Sequence, residues 1–108
     1  MKLIIIESPY AGDIEANTEY ARRCMLHSLR LGEAPIVSHL LYPQVLNERL
    51  AEERLLGIKA GLAWRRVAEL RVFYTDRGWS KGMVAARSMY DNEKLAYEER
   101  SIEAVPHD

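Results

Sequence analysis

At 108 residues, 48% of them hydrophobic and 29% charged, the chain has enough apolar side chains for one modest core and no room for a second domain. Fifteen basic and sixteen acidic residues leave a formal charge of −1, so no electrostatic footprint for nucleic acid stands out. The apolar run after Met1-Lys2 is too short for a secretory core or a membrane span, and the sequence reads as that of a cytoplasmic protein with no membrane partner.

Ile4, Ile5 and Ile6 are consecutive, and a β-branched run apolar on both faces predicts a buried strand over residues 2–7. Ser8-Pro9-Tyr10-Ala11-Gly12 stops it. Beyond that turn Ala21, Cys24, Met25, Ser28 and Leu29 recur at helical spacing, with Asn17 as the capping residue and Gly32 where a helix stops. Cys24 reads there as a small buried hydrophobe, and no second cysteine exists for a disulfide or a metal pair. Residues 35–38 form a short apolar run, a strand or a buried extended segment with a proline tolerated at its start.

From Leu46 to Ala68 the pattern is helical again. Leu55, Ile58 and Leu62 line one face, while Gly57, Gly61, Trp64 and Ala68 line an adjacent one where another backbone can approach closely. Residues 70–75 alternate and are rich in strand formers. A third helix starts near Ser80, with Met83, Ala86, Arg87 and Tyr90 on one side, and residues 95–102 hold a last, half-exposed strand.

Alternating strands and helices with short connections predict a parallel sheet covered on both faces. Right-handed crossovers then favour a small flavodoxin-like, Rossmann-like α/β sandwich of about four to five strands in the order 2-1-3-4. This domain spans residues 1–102, and residues 103–108 form a polar end. In such a sheet a ligand sits in the crevice outside the carboxyl ends of the strands.

Three polar turns reach that crevice: residues 7–12, Ser38-His39 and residues 75–83. The contacts expected from them are Ser8, Tyr10, Gly12, His39, Gly78, Ser80, Gly82 and Met83, with Ser80 at a helix start that favours an anion such as a phosphate. Neither GxGxxG nor GxxxxGK[ST] occurs. Each residue also has a plainer role. Tyr10 stacks on a base or covers the core edge; His39 touches a ligand or makes a structural hydrogen bond; Trp79 and Met83 wall a pocket or fill the core.

Glu7, directly after three isoleucines, is desolvated unless a Lys or Arg pairs with it, and Asp76 either caps its turn or contacts a ligand. If the first and third strands are neighbours, these two carboxyls can lie close enough to split into one acid and one base. The histidines His27, His39 and His107 form no metal constellation, and no cofactor is called for.

The ordered stretches "SPYAG", "NTEYARR", "SHLLYP", "GIKAGLAW" and "YTDRGWSKGM" resemble the small phage and bacterial proteins of the nucleoside 2-deoxyribosyltransferase-like superfamily, over about residues 2–102. The resemblance implies a flavodoxin-like fold and a pocket for a small nucleoside or nucleotide. In catalytic members a glutamate next to the glycine-methionine of the last turn attacks the anomeric carbon, and an aspartate at the start of the third strand helps proton transfer to the base. Here Val84 follows Gly82-Met83, Ala86 stands two places on, and the third-strand position corresponds to Ala68, or to its neighbour Glu69.

Cleavage through an oxocarbenium-like state needs a carboxylate at the sugar and a proton donor for the base. With the usual carboxylates replaced, Glu7 and Asp76 are the candidate catalytic pair for cleavage or transfer at an N-glycosidic bond. The rival reading is a non-catalytic phage-type protein on the same fold that sequesters a nucleotide or binds a host protein. Members of the superfamily often complete one another's pockets, which implies a homodimer or higher homo-oligomer, and a small sheet has reason to bury an edge.

Overall fold

The isoleucine run forms β1 (Lys2–Glu7), and Ile4, Ile5 and Ile6 are all buried, as a strand covered on both faces requires. In the computed structural model, which describes residues 1–103, β1 is followed by α1 (Ile14–Arg30), β2 (Glu33–Ile36) and two single turns of 3-10 helix at Ser38–Leu40 and Tyr42–Gln44. Then come α2 (Ala51–Ala63), β3 (Leu70–Tyr74), α3 (Lys81–Glu93) and β4 (Tyr97–Arg100). Of the expected polar end, residues 104–108, His107 among them, lie outside the described residues.

All strand pairings are parallel and the order is β2-β1-β3-β4, the flavodoxin-like α/β arrangement that the element order predicts. Strand alternation sends Ile4, Ile6, Val72 and Tyr74 to one face, where Tyr20, Ala21 and Cys24 of α1 cover them. Phe73 points the other way and packs on Met83, Ala86 and Tyr90 of α3, with Trp79 4.8 Å from its ring. Trp79 is therefore a half-buried cover on the core, away from the cavity lining, and Arg87 lies over its ring at 4.3 Å. Burial pushes the Cys24 thiol up to about 12, which leaves it the inert hydrophobe expected.

Several boundaries differ from the sequence expectation. Asp13, not Asn17, caps α1: its carboxylate accepts from the Ala16 amide at 3.1 Å, directly after Gly12 turns the chain at φ +99°. Asn17 sits one turn inside and donates back to the Tyr10 and Ala11 carbonyls at 3.0 and 3.1 Å, so it fixes the preceding turn. Strand β2 begins two residues earlier than expected and carries Pro35 opposite Ile4, which an edge strand tolerates. Helix α2 is shorter at both ends than the span 46–68, because turns at residues 42–50 and 64–69 take up the flanks.

Candidate functional site

A cavity of about 660 Å³ opens at the carboxyl ends of β1 and β2 and reaches the start of α3. Ile5 and Ile36 of the two strands form its floor, the β1–α1 turn forms one wall, and Gly57, Ile58, Gly61 and Leu62 of α2 roof it. Glycine is what lets the roof sit there. A Cβ on Gly61 would lie 2.9 Å from the Ser38 Cβ, and one on Gly57 3.1 Å from a Leu46 methyl. A smaller hollow of about 390 Å³ shares Ile5 and Ile36 and is lined only by apolar residues, so it offers no chemistry of its own.

Glu7 brings a carboxyl to the cavity from the end of β1. Burial pushes its pKa up to about 7, partly opposed by the Tyr90 hydroxyl, which donates to Oε1 at 2.6 Å. No Lys or Arg pairs with it among the described residues. The group is poised to exchange a proton near neutrality, a property that clusters at functional sites.

Next along the chain, the Ser8 hydroxyl is buried and has no hydrogen-bond partner among the described residues. Such an orphan costs about 1–3 kcal/mol of desolvation unless something binds it. The Ser8 carbonyl accepts from His39 Nε2 at 2.9 Å, which fixes the tautomer and leaves Nδ1 an acceptor. Burial lowers the His39 pKa and so favours the neutral ring, which stacks on Tyr10 with centroids 4.9 Å apart and planes at 21°.

Across the cavity lies the N-terminus of α3. Ser80 caps it, its hydroxyl accepting from the Met83 amide at 3.2 Å, and Lys81 and Gly82 of the first turn line the cavity beside it. Free amides, the helix dipole and the Lys81 ammonium together favour an anion there. Glu48 and Arg54 add one charge of each sign from the opposite side.

The fold therefore brings together Glu7, Ser8, Tyr10, Gly12, His39, Ser80, Gly82 and Met83, the last of these also buried in the core. Gly78 and Asp76 are not among the lining residues. Gly78 instead turns the β3–α3 loop at φ +81°. The expectation of a Glu7–Asp76 acid pair is corrected by geometry. β1 and β3 are neighbours, but Glu7 bonds Tyr90 of α3 on one side of the sheet whereas Asp76 accepts the Tyr20 hydroxyl of α1 at 2.6 Å.

Asp76 also accepts the Ser101 hydroxyl and the amides of Ile102 and Glu103, at 3.1 and 3.0 Å for the amides, and so ties the chain after β4 to β3. Burial opposes its ionisation, but these hydrogen bonds outweigh it and hold the carboxyl below the usual range. Of the two positions after Gly82 that the resemblance singles out, Ala86 lines the cavity as a methyl group and Val84 stays outside it, half exposed. Sequence reasoning missed Tyr90 as the partner of Glu7 and Arg54 as a cavity residue. Tyr90 was legible only as core spacing, and nothing in the local pattern sets Arg54 apart from the other charges of α2.

A four-stranded parallel α/β domain with a mainly apolar cavity, carrying a few polar groups, at its strand ends is the class that fold and site define. Residues 2–100 match the family model described as "Domain of unknown function (DUF7768)", and the chain belongs to that family. No curated protein and no solved structure shows significant similarity to it.

Proposed function

We propose that the cavity binds a nucleoside or nucleotide, in keeping with the resemblance to the nucleoside 2-deoxyribosyltransferase-like superfamily, and that Glu7 cleaves its N-glycosidic bond. The observation that carries the reading is the Glu7 carboxyl, raised to about 7 and held by Tyr90 inside the cavity. One group fills both roles in turn: protonated, Glu7 donates its proton to the departing base, and the carboxylate so formed faces the oxocarbenium-like sugar and takes the proton of the water that attacks it. The stacked Tyr10 and His39 rings offer an aromatic wall for a base, and the first turn of α3 with Lys81 offers a seat for a phosphate.

A second reading is favoured by Ala86, a methyl group in the cavity at a place where the superfamily that the chain resembles can carry an acid. On that reading the same cavity holds the nucleotide without cleaving it. Incubation with a panel of deoxynucleosides and their monophosphates, followed by chromatography for free base, separates the two. Base release that Glu7→Gln abolishes while the fold is retained supports cleavage. Absence of release at high protein concentration, with thermal stabilisation by one member of the panel, supports binding alone.

A further inference from the structure

Helix α2 buries none of its residues among the described ones, whereas α1 buries Tyr20, Ala21, Cys24 and Ser28, and α3 buries Met83, Ala86 and Tyr90. A helix of 13 residues is marginal alone, and helices of globular proteins persist by packing an apolar face. Gly57 and Gly61 face the segment 38–46. On the opposite side, Glu52, Leu55, Leu56 and Lys59 follow one another at i, i+3, i+4 and i+7 and form a single stripe. Leu55 and Leu56 are 50% and 56% exposed, and neither Glu52 nor Lys59 has an ion-pair partner among the described residues.

We propose that this stripe is the contact surface of a two-fold symmetric homodimer in which the α2 helices of two protomers pack antiparallel. The stripe is complementary to itself. Reversing the helix direction about its midpoint exchanges Glu52 with Lys59 and Leu55 with Leu56. The four leucines then meet at the axis, and each Glu52 lies against Lys59 of the other protomer. An isologous interface requires this self-matching, which a stripe carrying one sign of charge would lack. Because the stripe lies on the side of α2 away from Gly57 and Gly61, the dimer leaves the nucleotide-sized cavity open.

Size-exclusion chromatography with light scattering across a dilution series tests it. The wild type is expected at twice the 12.4 kDa chain mass, and Leu56→Glu at the chain mass with an unchanged circular dichroism spectrum. Glu52→Lys and Lys59→Glu, each alone, place like charges at both ends of the contact and raise the dissociation constant about tenfold; combined, they restore it. A monomeric wild type overturns the proposal. So does a dimer untouched by Leu56→Glu, or a double charge reversal that fails to restore the affinity lost in either single variant.

Discussion

Glu7 shows how one residue can be placed by its neighbours and tuned by its burial. Its position after three isoleucines already implied desolvation; that no cation answers it, and that Tyr90 does, needed α3 folded over the sheet. The consequence for stability has a definite sign. Below the ordinary carboxyl value both folded and unfolded states carry the proton; between about 4.5 and 7 only the folded state does. Stability therefore falls as pH rises through that window, by at most ~3 kcal/mol, and is flat above it. In Glu7→Gln the fall is absent, because the amide keeps the Tyr90 hydrogen bond and has no charge to bury. Melting temperatures from pH 4.5 to 8 check this, and a wild-type profile as flat as that of the variant would contradict it. Asp76 has the opposite character, a carboxylate kept ionised by four donors, and its place at a strand end gave no sign that these donors come from α1 and the chain after β4.

At the level of elements, periodicity and glycine placement carried most of the information. β1, the Ser80 cap, the buried face of α3 and Ala21, Cys24 and Ser28 of α1 follow from local pattern, whereas Leu29 of the expected α1 face is exposed and Tyr20 takes its place in the core; short connections with right-handed crossovers then leave little choice of sheet order. In helix α2 the helical spacing of Leu55, Ile58 and Leu62 did not say which face is covered. Leu55 and Ile58 are exposed, because the glycine side of the helix is what approaches the chain. The paired glycines were the better signal. Gly61→Ala must push α2 away from Ser38 and is expected to destabilise the fold by about 1–2 kcal/mol, despite the usual helix gain for alanine. Gly57→Ala meets only the movable end of Leu46 and should lie within about 0.5 kcal/mol of wild type. Denaturant unfolding of the two variants tests the contrast, which fails if Gly61→Ala is the more stable.

For the molecule as a whole, the sheet supplies a rigid floor, and α2 spans the cavity like a beam, fixed at its glycine edge and bare on its outer face. A second copy on that bare face would brace the roof without entering the cavity. Among the described residues no helix is long and apolar enough to cross a membrane. We propose the cavity as a nucleotide site, with a phosphate at the first turn of α3 and a base against Tyr10. Isothermal titration calorimetry with matched nucleosides and nucleoside 5′-monophosphates tests it most directly. Saturable binding of a monophosphate is expected, tighter than that of its nucleoside and weakened by Lys81→Glu. No saturable heat from any member of the series, or binding indifferent to both the phosphate and Lys81, would contradict it.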